Sequence, residues 1–326
     1  MDQKAVEALV DRFRNDVERL RLELGKVLVG QEQVIQSVLI CLFAGGHALL
    51  EGLPGLGKTT LIRALADSLD LKFNRLQFTP DLMPADVTGS NLIIEEQGKK
   101  RFDFRPGPVF TNILLADEIN RATPKTQSAL LEAMQEGSVS VGLETMVLEK
   151  PFLVLATQNP IDLEGTYPLP EAQLDRFFFK VLVKPPGKAE LNDILVRTTS
   201  GDVPRASKVM GKDVLISYME LVRQVPSASK VTAYAAKLVS ASRPDGDDSP
   251  KSVRNYVRFG PSPRGAQSML LGAKVVALFD GRFSVEKKDI RKVAVSALRH
   301  RMVLNFEADS MGVTTDQIIQ DVLERF

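Results

Sequence analysis

Short apolar runs alternate with helical patterns over the first half of the chain. The runs span residues 48–50, 73–78, 113–116, 152–157 and 177–183. Helical stretches and turns separate them, which is typical of a parallel sheet covered by helices. An amphipathic helix is expected before the sheet, because apolar residues recur at helical spacing over residues 5–24. The pattern therefore predicts an α/β fold.

The second half of the chain has a different pattern. After Pro185-Pro186-Gly187 no further strand-like run is expected, and helical patterns follow at 188–199, 213–224, 230–242, 263–280, 286–300 and 314–325. We therefore predict an αβα domain over residues 1–186 and a helical domain over residues 187–326. The stretch from Ser242 to Pro263 is rich in Pro, Gly, Asp and Ser, which predicts a mobile surface loop.

Two hairpins are predicted as insertions in the first domain. Strand-like segments flank a polar, glycine-containing turn in residues 90–104, and a similar pattern recurs at 138–149. The tip of the second hairpin, residues 141–145, carries no Lys or Arg.

Composition narrows the classes of function. A chain of 326 residues with 44% hydrophobic content has room for about two packed domains. Its 42 basic and 41 acidic residues leave a net charge of +1, which does not favour a nucleic-acid or membrane surface. No segment approaches the ~20 continuous apolar residues of a membrane span, so we predict a cytoplasmic protein. Cys41 lies in an apolar run and is expected in the core, and His47 and His300 lack ligand-spaced neighbours and are expected to be structural.

A complete phosphate-binding loop, G-x-x-x-x-G-K-[ST], lies between the first apolar run and a helical pattern. The predicted nucleotide-binding residues in it are Gly52, Pro54, Gly55, Gly57, Lys58, Thr59 and Thr60. Glycines let backbone N–H groups surround the phosphates, and a helix N-terminus favours negative charge. Lys58 would reach the β- and γ-phosphates, and the Thr59 hydroxyl would ligate Mg²⁺. The loop predicts a site for ATP or ADP with Mg²⁺.

Polar residues follow two later strands. Asp117 and Glu118 follow the run at 113–116, as expected for a Walker B motif in which Asp117 holds Mg²⁺ through its water shell and Glu118 orients and deprotonates the attacking water. Asn159 follows the next strand and would lie near that water, although an Asn-Pro turn closing a strand is an equally ordinary role. Gln77, at the end of the second strand, could hold Glu118 inactive or merely be exposed.

Three further strings resemble the MoxR branch of the AAA+ ATPases. They are the helix at 122–136, the segment Gly165-Thr166-Tyr167-Pro168-Leu169-Pro170-Glu171-Ala172-Gln173-Leu174-Asp175-Arg176-Phe177, and Ser262-Pro263-Arg264. The resemblance spans about residues 25–300. It implies an AAA+ αβα core with a helical lid, six subunits in a ring, and ATP at each subunit interface.

The resemblance also implies roles for individual residues. Asn159 is implied to be sensor 1, Arg176 the arginine finger that reaches the neighbouring subunit's γ-phosphate, and Arg264 sensor 2. From the residues alone, Arg176 could equally form a structural ion pair.

Ser262 and Pro263 are good first residues for a helix that carries Arg264. The chain departs from the family at Gly265, where alanine is usual, which puts sensor 2 mildly in doubt. The hairpins match the helix-2 insert and the pre-sensor-1 hairpin.

Several functions fit these observations. The leading hypothesis, implied by the resemblance, is a chaperone-like ATPase that remodels or matures protein clients, with metal or cofactor insertion as one possibility. Its partner could carry a von Willebrand A-type domain on a separate polypeptide. A DNA or RNA translocase is the alternative, disfavoured by the uncharged hairpin tip. The ATPase subunit of a metal chelatase and a non-hydrolysing nucleotide switch are further alternatives, the switch disfavoured by Glu118, Asn159 and Arg176 together.

Overall fold

The protein is described by a computed structural model over residues 3–96, 99–142, 144–160, 165–199 and 204–326. Its first half is a parallel sheet between helices, and its second half is mainly helical. The strands are β1 Ala48–Glu51, β2 Phe73–Gln77, β3 Gly89–Glu96, β4 Lys99–Pro106, β5 Ile113–Asp117, β6 Ser138–Val141, β7 Glu144–Val147, β8 Leu153–Gln158, β9 Phe179–Leu182, β10 Val257–Phe259 and β11 Val303–Leu304.

The helices alternate with these strands up to β9 and then dominate. They are α1 Gln3–Val27, α2 Glu32–Ala44, α3 Lys58–Leu69, α4 Pro84–Thr88, α5 Pro124–Glu136, α6 Glu171–Leu174, α7 Lys188–Thr199, α8 Lys212–Gln224, α9 Ser229–Ala241, α10 Lys251–Tyr256, α11 Pro263–Phe279, α12 Lys287–Leu298, α13 Phe306–Met311 and α14 Thr315–Arg325. No helix in the described ranges is both long and apolar enough to cross a membrane.

The predicted α/β fold is confirmed. The five strands expected from the apolar runs form one sheet in the order β2-β5-β8-β1-β9, and every neighbouring pair is parallel. β5, β8 and β1 are almost wholly buried, as expected for strands covered on both faces. Because parallel strands end at the same edge, the segments after β1, β2, β5 and β8 come together there.

Both predicted hairpins are present. β3 pairs antiparallel with β4, and β6 pairs antiparallel with β7. Leu143, within the tip of the second hairpin, lies outside the described residues. The first hairpin exposes Ile93 and Phe102, which are directly paired across its two strands.

One hydrophobic cluster crosses the predicted domain boundary. Phe13 of α1 lies 5.0 Å from the ring centroids of Phe43 and Tyr218 and 5.9 Å from that of Phe279. These rings come from α1, α2, α8 and α11, so elements on both sides of residues 186–187 share a core. The boundary itself stays a prediction.

Two expectations for the chain need correction. The predicted mobile loop from Ser242 to Pro263 contains α10 and β10, and Ser242, Ser249 and Val253 are buried. Its polar residues bond within the segment itself: the Ser249 hydroxyl donates to the Arg243 carbonyl. The expectation of no strand after residue 187 is also wrong, because β10 pairs antiparallel with β11. Strands of two and three residues are too short to show an alternating pattern.

The sequence patterns make no prediction for α2. Residues 38–43 are consecutively apolar and all are buried, so this part of the helix has no polar face to reveal its period. Cys41 lies in this helix and is fully buried, as expected, and its burial raises the pKa of the thiol.

Candidate active site

The phosphate-binding loop joins β1 to α3, as predicted. Gly57 lies at φ +79°, a left-handed conformation that favours glycine, and α3 begins at Lys58. A Cβ at Gly52 would lie 2.6 Å from the Val183 carbonyl oxygen, so only glycine fits where the loop leaves the sheet. The N–H groups in the first turn of α3 have no partners within the helix and are available to an anion.

These residues open onto a cleft of about 360 Å³ at the carboxyl edge of the sheet. Its walls are Pro54, Gly55, Gly57, Lys58, Thr59, Thr60, Arg75, Gln77, Asp117, Glu118, Thr157 and Asn159. Lys58 Nζ donates to the Gly52 carbonyl at 2.6 Å. Burial lowers the pKa of Lys58, and the nearby charges of Asp117, Glu118 and Glu51 oppose that effect. Both acids, Asn159 and every predicted loop residue except Gly52 therefore converge on one cleft.

The two acids are positioned by the strand on one side of them. Thr157, near the end of β8, donates its hydroxyl proton to Asp117 Oδ1 at 2.6 Å and accepts a hydrogen bond from the Glu118 backbone N–H at 2.8 Å. Glu118 itself lies at φ 55° and ψ 50°, which is costly for a residue other than glycine. The backbone therefore turns at Glu118 and leaves the direction of β5, whereas Asp117 is the last residue of that strand. The sequence patterns do not identify Thr157, although its position two residues before Asn159 could have indicated it.

The strand on the other side supplies a chain of hydrogen bonds. The Arg75 guanidinium donates to Asp117 Oδ2 through Nη2 at 2.7 Å and Nε at 3.2 Å, and to Gln77 Oε1 at 3.0 Å. Gln77 Nε2 donates to Glu118 Oε2 at 2.9 Å. Arg121 donates to the same carboxylate oxygen at 2.9 Å. Gln77 thus contacts Glu118, which is one of the two alternatives that the sequence left open, whereas the sequence patterns do not single out Arg75 or Arg121.

The donor set fits magnesium. Asp117 offers a carboxylate and Thr59 a hydroxyl, and Mg²⁺ prefers oxygen ligands. Both oxygens of Asp117 are already hydrogen-bonded, one to Arg75 and one to Thr157. A cation that approached Asp117 on the Oδ2 side would therefore compete with Arg75.

A larger cavity of about 1060 Å³ lies beside the loop, between α1, α2 and α7. Leu28 lines this cavity and also lies against the phosphate-binding loop, where a Cβ at Gly57 would be 2.7 Å from its Cδ1. Leu28, Val29 and Ile35 give the wall apolar surface, and Arg19, Lys26 and Glu190 add charge.

The remaining predicted site residues, Arg176 and Arg264, do not line the cleft. Arg176 Nη1 donates to the Leu131 carbonyl at 2.9 Å, in a recess that also contains Glu132 and Glu136. Arg264 Nη1 donates to Asp175 Oδ2 at 3.2 Å. Arg264 therefore contacts Asp175, the residue that precedes Arg176 in the chain. Their roles stay predictions.

Asp175 joins this segment to the helical half. It accepts hydrogen bonds from Ser262, Arg264 and the buried Arg301, whose Nε lies 2.8 Å from Oδ1. Burial acts to raise the pKa of Asp175, but the hydrogen bond and charge of Arg301, with smaller contributions from Ser262 and Arg264, leave that pKa below its usual value. Ser262 is also the N-cap of α11, accepting from the Arg264 N–H at 3.2 Å, as predicted.

Both histidines are buried and bonded to backbone. His47 Nδ1 accepts from the Val154 N–H at 2.9 Å, which leaves Nε2 to donate to the Met134 carbonyl at 3.0 Å. Burial lowers the pKa of His47 to about 4. His300 Nε2 lies 3.0 Å from the Phe177 carbonyl oxygen. These contacts tie strands and helices together, as the sequence suggested.

Comparison with known families agrees with this geometry. The model of the ATPase family associated with various cellular activities (AAA) matches residues 47–179, and that of the AAA lid domain matches residues 251–322. The first range holds the cleft, and the second holds Arg264 and Arg301. Fold and site together define the class as AAA+ ATPase, with a P-loop αβα core and a helical lid.

Individual relatives show which family within this class the chain resembles. The protein YeaC of Bacillus subtilis (strain 168) is 42% identical over 92% of this chain and 91% of its own length. Chaperone MoxR1 of Mycobacterium tuberculosis is 41% identical over 94% of this chain and 81% of its own. A crystal structure of an ATPase candidate from Cytophaga hutchinsonii superposes with a TM-score of 0.92 at 41% identity, covering 100% of this chain and 98% of that one. The chain belongs to the MoxR family of AAA+ ATPases.

Proposed function

We propose that this protein hydrolyses ATP and uses the reaction to remodel or mature protein clients in a chaperone-like role. The observation that carries the hydrolytic part is the convergence of Lys58, Thr59, Asp117, Glu118 and Asn159 on one cleft. Lys58 and the first turn of α3 bind the phosphates. The chaperone part is supported by the relative in Mycobacterium tuberculosis, which is named as a chaperone. Metal or cofactor insertion stays one possible form of that role.

Each side chain has a distinct task in this proposal. Asp117 and Thr59 would hold Mg²⁺, which when bound neutralises charge on the phosphates. Glu118 orients the attacking water and accepts its proton, and Asn159 positions the same water. The Gln77 amide occupies a carboxylate oxygen of Glu118, which supports a role in restraining Glu118 until a partner binds. The adjoining cavity, with Leu28 and Val29 in its wall, is our candidate site for the nucleoside.

We further propose that the protein acts as a ring, expected to have six subunits, in which Arg176 serves a neighbour's nucleotide and Arg264 acts as sensor 2. Neither arginine lines its own cleft, and Asp175 links the two, which supports a shared position at a subunit boundary. A guanidinium at the γ-phosphate can supply ~10³–10⁵ in rate. A separate partner with a von Willebrand A-type domain and a cytoplasmic location stay predictions.

Substitution of Glu118 tests the hydrolytic part. Glu118→Gln keeps the shape of the side chain but cannot accept a proton, so ATP turnover should fall by about 100-fold or more. Affinity for a fluorescent ADP analogue with Mg²⁺ should stay within about twofold, because the phosphate ligands are intact. Glu324→Gln, at an exposed carboxylate of α14, is the matched control and should retain the parental rate. Parental turnover in Glu118→Gln would show that the water is activated by another group.

A further inference from the structure

Arg75 is a charged residue of the cleft to which neither the loop motif nor the acid pair assigns a task. It lies on β2, the edge strand of the sheet, two residues before Gln77 and therefore on the same face of the strand. Both of its contacts to Asp117 go to one oxygen, Oδ2. The guanidinium thus neutralises the carboxylate expected to hold the metal.

The ion pair between Arg75 and Asp117 is held loosely on the arginine side. The Arg75 side chain is 49% exposed, whereas that of Asp117 is 14% exposed. The acid is fixed by Thr157 on its other oxygen, but the arginine is anchored only by the acid and by Gln77 among the described residues. A partly exposed ion pair contributes little free energy, so a divalent cation can displace the guanidinium.

We propose that Arg75 is a positioning residue that competes with the divalent cation for Asp117 and thereby sets the Mg²⁺ concentration at which the site fills. Withdrawal of Arg75 frees the Oδ2 side of the Asp117 carboxylate for a cation. The inference deepens the proposed function and rests on it, because it takes Asp117 as the metal-holding residue.

Withdrawal of Arg75 also alters the neighbouring hydrogen bonds. The Gln77 amide has a defined orientation here, since its oxygen faces a guanidinium donor and its nitrogen faces a carboxylate acceptor. Because the same Nη2 donates to Asp117 and to Gln77, a movement of Arg75 away from the cleft would break both contacts and leave the amide less restrained against Glu118. Arg75 therefore connects the residue that holds the metal to the residue that activates water.

The test measures metal binding and not turnover. Mn²⁺ replaces Mg²⁺ as the probe, and the free Mn²⁺ signal is followed by electron paramagnetic resonance as protein with saturating ADP is titrated. Arg75→Gln should lower the half-saturating Mn²⁺ concentration by about two- to fivefold, the factor expected for loss of a partly exposed competing ion pair. Arg75→Lys, which keeps the charge but loses the forked geometry, should fall between Arg75→Gln and the parent.

Arg63→Gln is the matched control, because it removes the same charge from an exposed position on α3. It should leave the half-saturating concentration unchanged. An unchanged or raised value in Arg75→Gln, or an equal fall in Arg63→Gln, would overturn the competition and leave the proposed function standing. Failure of the parent protein to bind ADP with Mn²⁺ would overturn the proposed function and this inference with it.

Discussion

Removal of the Asp175 carboxylate should destabilise the whole fold. The Arg301 side chain is 2% exposed, and its Nε donates to Asp175 Oδ1 at 2.8 Å. Its other N–H groups bond mainly to backbone oxygens, including those of Phe177 and Phe178. In Asp175→Ala these bonds can persist, but the buried positive charge loses its only anionic partner among the described residues.

The magnitude follows from that geometry. Breaking a buried ion pair by removing one partner costs about 3–5 kcal/mol, because the remaining charge is uncompensated. Asp175→Asn keeps an oxygen that can accept from Arg301, so its cost should be smaller, about 1.5–3 kcal/mol. Urea unfolding followed by circular dichroism should show midpoints in the order parent, Asp175→Asn, Asp175→Ala. If the free energy of unfolding falls by about 3 kcal/mol per M urea, the unfolding midpoint of the alanine variant should be lower than that of the parent by about 1 M or more.

The pH dependence of the stability tests whether the loss comes from the charge of the Asp175 carboxylate. The folded pKa of Asp175 lies below its unfolded value, so its stabilisation is complete above about pH 4 and is lost as pH falls through the folded pKa. The difference between parent and Asp175→Ala should therefore be constant from pH 6 to 8 and shrink below about pH 4. Asp321→Ala, at an exposed position of α14, should change stability by less than about 0.5 kcal/mol. Equal midpoints for parent and Asp175→Ala at pH 7 would show that backbone carbonyls alone satisfy Arg301.

Two further predictions concern the nucleotide. Lys58→Ala should weaken binding of a fluorescent ATP analogue by about 10-fold or more, because a charge-assisted contact to the phosphates is lost, while circular dichroism stays parental; parental affinity would count against the phosphate-loop assignment. Lys58→Ala and Arg176→Ala subunits should each be inactive, but their mixture should regain part of the ATPase activity in a ratio-dependent way, since some interfaces join an intact loop to an intact finger. No recovery despite demonstrated subunit exchange would argue against a shared site.

The sequence predicts those features whose residues are contiguous. The phosphate loop, the acid pair after β5 and the five sheet strands each occupy one short stretch, so the local pattern carries the information. Arg75 and Thr157 were missed because their tasks depend on strand order. β2 and β8 flank β5 in the sheet, and only that adjacency brings their side chains to Asp117.

Longer-range contacts and buried helices were beyond the sequence patterns. Asp175 and Arg301 are separated by 126 positions, and neither has neighbours that mark it as half of a buried pair. The second half of α2, residues 38–44, is apolar on all sides and shows no amphipathic period. Arg176 and Arg264 were placed through family resemblance, and an isolated chain does not test a role in a neighbour's site.

The aromatic cluster around Phe13 has a practical consequence for dissecting the molecule. Phe13 and Phe43 precede the phosphate loop, whereas Tyr218 and Phe279 belong to the helical half. A fragment ending near residue 186 would therefore present its half of this cluster to water, and such surfaces promote aggregation. Truncated forms should be poor material for assigning functions to either half, and the intact polypeptide is the appropriate unit for biochemical work.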